Sequence, residues 1–551
     1  MLGNVHLLDP AGTRVAALAV RDGKILAAGS REDAMQFRGR GTKVDDFADA
    51  TVIPGFNDTH AHLTTVGLKT LRPSLAGCRS IRDVLARVRE LAGAVPKGEW
   101  IVTMPVGEPP YYFDAPQGLA EQRMPNRREL DSVAPDHPVY LSSPGGFWGQ
   151  TPCHSALNSA GLALNGIDRA TRPTASGIEI EWDSSGEPTG VFIERNFLSV
   201  IEQDLFRAVP KFSSNDRVEA LRRGMKLCHA MGTTSIYEGH GCAPDVLAAF
   251  RKLHENGELT MRSGLVIGPT WSSVEEAGRV MREWLPFARA QGLGDAMLRI
   301  SGVFIPCFGD PRVNVVIRRD VADLGWGDYI RLGNTPGDFE QLCMLAGEND
   351  LRVHTVISNR LAETVPVLER VAARFPIGDR RWVLEHISRS NPADLESICR
   401  MGIGVTLIPG IYLWKGAHVF ADLSPAELDY LSPSKQLEAL GVPVSAGTDA
   451  VPYDPLHCMW VMVKREARSG GRVMGANGRL GNGAALRMLT VNGAWLTFDE
   501  ATKGPLLPGY LADLAVFKRD PLSAVEDEIL NNTCIGTMVG GRWVHGPQVQ
   551  T

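Results

Sequence analysis

Two histidines one residue apart, His60 and His62 in VIPGFNDTHAHL (52–63), have the spacing of a metal-binding pair. In extended chain, side chains two apart point the same way, so both imidazoles can reach one cation. Further ligand-type residues close other apolar runs: Glu238 in GTTSIYE (232–238), His354 in LRVHTVI (351–357), His386 in RWVLEHI (381–387) and Asp449 in VPVSAGTD (442–449). Neutral imidazole plus carboxylate suits Zn2+ and also accepts Fe2+ or Mn2+. Such an ion lowers the pKa of its water to about 7 and polarises a carbonyl, and metal-assisted hydrolysis needs both. Asp449 is then the expected carrier of the proton from water to the leaving group, with His386 completing a second metal position or steadying the oxyanion. Structural roles compete at each position: His354 or His386 as a satisfied core histidine, Asp449 as the cap of a turn, Glu238 as a buried structural carboxylate.

These residues need a scaffold that gathers chain positions almost 400 apart. Eight short apolar runs begin at 51, 232, 262, 298, 351, 381, 404 and 442. They read as strands buried on both faces, and the long intervals between them read as helical crossovers. This predicts an α/β fold, a (β/α)8 TIM barrel whose strand C-termini ring one opening. The first interval is too long for one crossover and marks an insertion of about 70–210. Within 215–232 the apolar residues at 218, 221, 225 and 228 predict a helix capped by Ser214 or Asn215 and leading back into the second strand. Hairpin signals lie at both ends, VAALAVR and ILAAG around Asp22-Gly23-Lys24, and TMV and RWVH around Gly540-Gly541. A lone hairpin is marginal in water, so residues 1–50 and 500–551 are expected to form one composite β-sandwich beside a catalytic domain of 51–499.

The 551 residues carry a formal charge of −6 without a basic run, which argues against a nucleic-acid partner and for a small organic substrate. Nine scattered cysteines without a C-x-x-C pair read as reduced thiols. MLGNVHLLDP lacks the features of a signal peptide, and no apolar run reaches the ~20 residues that span a bilayer, so a cytoplasmic protein without a membrane partner is expected. A homo-oligomer, in the simplest case a dimer, is the expected assembly.

Seven segments resemble the amidohydrolase superfamily, in its amidohydrolase 3 branch, which includes N-substituted formamide deformylase. They are VIPGFNDTHAHL, MPNRRELDSVAPDHPVYL (124–141), HSALNSAGL (154–162), GEPTGVFIE (186–194), LEHI (384–387), AGTDAVPYDPL (446–456) and LLPGYLADLAVF (506–517), and together they span nearly the whole chain. The resemblance implies a metal-dependent hydrolase of a C–N bond (amide, N-acyl or N-formyl). It also implies a site built by His60, His62, His354, His386 and Asp449, with His154 of the insertion entering the pocket. Trp148, Tyr412 and Trp414 are candidate walls for an apolar substrate. Many superfamily members bridge two metals with a carboxylated lysine on the fourth strand. Here no lysine occurs between Lys252 and Lys415. One ion is therefore expected rather than two, unless Glu238 supplies the bridge. Decarboxylation or another lyase step on the same scaffold is the alternative reaction, and a non-catalytic scaffold a third reading.

Overall fold

The computed structural model describes residues 1–113, 115–197, 199–269, 271, 273–309 and 333–546. Its centre is a parallel barrel of eight strands, hydrogen-bonded in sequence order: Phe56–Asp58, Thr233–Cys242, Arg262–Ile267, Leu298–Phe304, Val353–Val356, Val383–Glu385, Gly404–Leu407 and Val444–Ala446. The second strand is buried along its whole length, as expected when helices cover one face and the barrel lumen the other. Helices such as Pro244–Glu255, Leu361–Ala372 and Pro392–Met401 return the chain between strands.

Among the described residues no ladder joins the eighth and first strands; hydrogen bonds from the following loops close the seam. Asp449 N donates to His60 O at 2.8 Å, and Thr448 N donates to Asp58 Oδ1 at 2.9 Å. Gly447 makes this approach possible, because a Cβ there would lie 2.4 Å from the His60 nitrogen.

One strand differs from the sequence reading. Residues 51–55, expected as the first barrel strand, belong mostly to Asp46–Pro54, which lies in another sheet, and the barrel begins after Gly55 at Phe56. The apolar run continues through both strands, so hydrophobicity alone does not show where the chain changes sheets. Asp46–Pro54 sits in the middle of a seven-stranded sheet, between Leu2–His6 and Leu514–Phe517. The two terminal hairpins form its flanks, with φ > 0 at Asp22 and Gly23 in one turn and at Gly540 and Gly541 in the other. Its far strand returns to the C-terminal segment: Ile25 N donates to Tyr510 O at 2.9 Å and Ala512 N to Gly23 O at 2.8 Å. Phe56 meets Phe517 edge-on at 5.8 Å, and Arg262 on the third barrel strand pairs with Asp513 at the sheet's base, both side chains being 7% exposed. Removing one partner of so buried a pair costs about 3–5 kcal/mol.

The inserted segment has a five-stranded sheet of its own, ordered Ile101–Thr103, Val139–Leu141, Cys153–Leu157, Pro188–Glu194, Ile178–Trp182. Apolar clusters fill both its faces, one around Val84, Val88 and Leu130, the other around Tyr140, Phe192 and Phe206. The chain then re-enters the barrel through helix Ser214–His229, whose cap is Ser213 in a capping box with Asp216. The cap falls one residue before Ser214, because Ser213 offers both the hydroxyl and the extended backbone that an N-cap needs. Val218, Leu221, Met225 and Cys228 are buried along one stripe, as their spacing predicts. Among the described residues, no helix is long and apolar enough to cross a membrane.

Candidate metal centre

Four imidazoles and a carboxylate converge inside the barrel mouth. His60, His62 and His240 offer ligand atoms within 4.8 Å of one another, and so do His60, His386 and Asp449. The His60 ring lies 4.4 Å from that of His240 and 4.5 Å from that of His386. Asp449 Oδ1 is 2.9 Å from His62 Nε2 and 3.9 Å from His60 Nε2, while its Oδ2 is 3.3 Å from His386 Nε2. All five side chains are buried.

Strand ends and strained turns aim these groups. His60 and His62 follow the first strand, and His240 lies near the end of the second. His386 and Asp449 follow the sixth and eighth strands with φ of 60° and 56°, in the left-handed region that non-glycine residues rarely adopt. Such strain persists only where the surroundings impose it, and it recurs at functional sites. Here Asp58 supplies the constraint, accepting from Thr448 N, Thr448 Oγ1 (2.5 Å) and His60 N (3.3 Å). Burial pushes the Asp58 carboxyl up to about 6 even against those three bonds.

Behind the cluster runs a chain of buried polar contacts. Arg352 Nη1 donates to Tyr237 Oη at 3.0 Å, Tyr237 Oη meets His354 Nε2 at 3.0 Å, and His354 Nδ1 meets Glu385 Oε1 at 3.0 Å. Glu385 Oε2 in turn lies 3.4 Å from His60 Nδ1. With its Nδ1 turned to a carboxylate, His60 presents the Nε2 lone pair to the cluster, the usual way a ligating histidine is oriented. Gly239 makes room for this carboxylate, since a Cβ there would fall 2.1 Å from Glu385 Oε1. Glu238 plays a similar part beside His62: its Oε2 is 3.5 Å from His62 Nδ1, and its Oε1 accepts from Leu63 N at 2.8 Å. On the opposite wall His386 Nδ1 lies 3.2 Å from Tyr412 Oη.

The donor set fits a divalent cation. Burial, reinforced by His386, His62 and His354, holds the His60 imidazole well below the ordinary histidine value, and burial pushes His386 down to about 4. Both rings are therefore neutral lone-pair donors at neutral pH, as metal binding requires. Neither oxygen of the buried Asp449 has a hydrogen-bond partner among the described residues. A buried carboxylate in that state needs a cation.

His60, His62, His386 and Asp449 are thus brought together as ligand candidates, and Glu238 stands behind His62. His354 is not in the cluster: its two ring nitrogens face Tyr237 and Glu385. His154 lies on an insertion strand opposite Ile193 and belongs to neither ligand group among the described residues. Tyr412 touches the cluster, Trp148 lies in the insertion's turn above it, and Trp414 packs on His457 at 4.5 Å and Tyr111 at 5.1 Å. Sequence reasoning missed His240 and Glu385. His240 stands two residues beyond Glu238, the same alternation that singled out His60 and His62, and Glu385 directly precedes His386.

A family model described as Amidohydrolase family matches residues 43–545. The chain belongs to the amidohydrolase family. Over 541 residues this amidohydrolase is 26% identical to the putative amidohydrolase YtcJ of Bacillus subtilis, covering 95% of this chain and 94% of that protein. It is 25% identical over 554 residues to the N-substituted formamide deformylase of Arthrobacter pascens, covering 98% and 96%. Among solved structures, an uncharacterised metal-dependent hydrolase from Pyrococcus horikoshii shares the fold with a TM-score of 0.69 at 19% identity, covering 96% of this chain and 98% of that one. Atrazine chlorohydrolase TrzN from Arthrobacter aurescens, crystallised with zinc, aligns with a TM-score of 0.52 at 14% identity, covering 100% and 96%.

Proposed function

We propose that this amidohydrolase is a metal-dependent hydrolase that cleaves the C–N bond of a small amide, N-acyl or N-formyl compound. The observation that carries the reading is the convergence of His60, His62, His240, His386 and Asp449 on one buried point at the barrel mouth. Deformylation by the Arthrobacter pascens relative and the zinc in the TrzN structure support the bond type and the metal. A bound divalent cation, zinc by preference, supplies Lewis acidity toward the substrate carbonyl and lowers the pKa of water.

The chain's own groups do the rest. Asp449, 2.9–3.9 Å from three imidazoles, accepts the proton of the attacking water and returns it to the departing nitrogen. His386, held by Tyr412 through Nδ1, either completes the ligand set with its Nε2 lone pair or, as the Nε2–H tautomer, donates to the developing oxyanion. Glu385 and Glu238 keep His60 and His62 in the tautomers that expose a lone pair to the cluster. One ion is favoured over two because the candidate ligand groups share His60, whose Nδ1 already faces Glu385, leaving only Nε2 to give.

The test is metal analysis of the purified protein together with turnover of a panel of N-formyl, N-acetyl and cyclic amides. One equivalent of metal and hydrolysis of at least one amide class are expected, with both lost in His60→Ala and His62→Ala. Full metal content in either variant would reject the site. Decarboxylation without any amide hydrolysis would reject the reaction.

A further inference from the structure

Two lysines that the proposed reaction leaves unused lie where the insertion meets the barrel mouth. Lys69, one residue past helix Leu63–Leu68, which His62 begins, puts its Nζ 4.0 Å above the Trp148 ring centroid and 3.5 Å from Ala450 O. Lys415 ends the single helical turn Gly410–Lys415 after the seventh strand and donates to the carbonyls of Gly146 and Phe147. Both ammoniums therefore rest on the four-residue turn Gly145–Trp148, whose Phe147 ring lies 6.1 Å from that of His62.

Among the described residues neither Lys69 nor Lys415 makes an ion pair, although Lys415 is only 8% exposed. Burial, reinforced by repulsion from Lys415, holds the Lys69 amine well below the ordinary lysine value, and burial brings Lys415 down to about 7; the one carboxylate that pulls both back up is Asp449, which belongs to the metal cluster. A buried amine without a counter-charge holds its proton weakly for this reason, and an anion placed beside it restores the ammonium. Each ammonium has three N–H groups; Lys415 commits two to carbonyls, and Lys69 has one long contact, so both retain donors. Phe147, Phe197 and Trp148 give the surrounding wall an apolar, aromatic character.

We infer that Lys69 and Lys415 form an anion-binding subsite beside the metal cluster, and that the substrate is a small organic carboxylate, an apolar N-acyl amino acid being the simplest compound of that class. This deepens the hydrolase reading and rests on it for the scissile bond, while the subsite itself is independent of turnover. The carboxylate takes the remaining lysine N–H groups, the apolar side chain packs on Phe147 and Phe197, and the acyl carbonyl points to the cluster.

The test is calorimetric binding to the metal-loaded protein of two probes that differ by the carboxylate alone, N-acetylphenylalanine (both enantiomers) and N-acetylphenethylamine, with hydrolysis of each followed separately. At least tenfold tighter binding of one enantiomer of the acid is expected. In Lys69→Met that preference falls below threefold while affinity for the neutral probe stays unchanged. Equal affinity of the wild type for acid and neutral probe, binding of neither, or a preference that survives in both Lys69→Met and Lys415→Met overturns the subsite. If a variant fails to fold, the wild-type comparison still decides. Preference for the acid without hydrolysis of any amide supports the subsite and removes the C–N reading; hydrolysis of the neutral probe without a preference does the reverse.

Discussion

Replacing Gly447 by alanine tests whether the contact between the first and eighth strand loops sets the geometry of the metal centre. A Cβ at 447 would stand 2.4 Å from His60 N and 2.6 Å from His60 Cβ, and both belong to a residue that the cluster cannot do without. Relaxed contacts between such atoms are about 3.5 Å, so the loops must separate by roughly 1 Å. The same separation stretches the Asp449 N to His60 O hydrogen bond, now 2.8 Å, and draws Asp449 away from the imidazoles. A 1 Å misplacement of reacting groups costs about 100-fold in rate, or about 2.7 kcal/mol, while overpacking one methyl lowers stability by about 1–3 kcal/mol. Gly447→Ala should therefore fold, with kcat/KM reduced about 100-fold on the best amide of the panel and metal affinity weakened. Steady-state kinetics with metal analysis of the same preparation read both effects. A variant within threefold of wild type at full metal occupancy would refute the argument that this seam positions the site.

Three further outcomes are expected. His240→Ala should lose metal affinity 10- to 100-fold by competition with a chelator, whereas His354→Gln, which alters only the contacts behind the cluster, should retain metal; the opposite ranking would return His354 to the ligand set. Burial pushes the His457 imidazole down to about 4, whereas the unfolded chain protonates it near 6.5, so its contribution to stability is complete above pH 6.5 and is lost as pH falls to 4. That interval is worth about 3 kcal/mol, so His457→Phe, which keeps a ring between Trp414 and Trp460, should flatten the acid limb of a denaturation profile by that amount; an unchanged limb would count against it. Removing the strands Cys534–Val539 and Arg542–His545 strips Leu514–Phe517 of a partner, and hydrogen exchange should speed up in Asp46–Pro54 and Leu2–His6; unaltered protection there would show that the chain ends are independent.

The barrel was legible because strands buried on both faces leave unbroken apolar runs at the spacing of helical crossovers, and seven of the eight expected strands lie where those runs predict. The first does not, because TVIPGF feeds two sheets with no polar residue between them, and the change of direction at Gly55 is set by contact with Thr234 rather than by local pattern. His60, His62, His386 and Asp449 could be found because each follows the end of its strand. His240 escaped notice because the second strand continues to Cys242, beyond the apolar run that ended at Glu238. His354 reads as a ligand in one dimension, but Tyr237 on the second strand and Glu385 on the sixth bracket its ring, and no pattern along the fifth strand reports them. The two lysines were invisible for the same reason, since their meeting place is a turn of the insertion some 270 residues before Lys415.

The seven-stranded sheet dictates an order of events during synthesis. Asp46–Pro54 leaves the ribosome early, yet one of its edges stays bare until Leu514–Phe517 has been made, more than 450 residues later. At about 5–20 residues per second that wait is roughly 25–90 seconds, during which an apolar β-strand is open to pairing with any other nascent chain. The insertion, which carries a sheet and a core of its own, can form in that interval, whereas the clasp that joins the two ends cannot. Chains released early should therefore aggregate through this strand, and a chaperone that shields residues near 46–54 should raise the yield of intact protein.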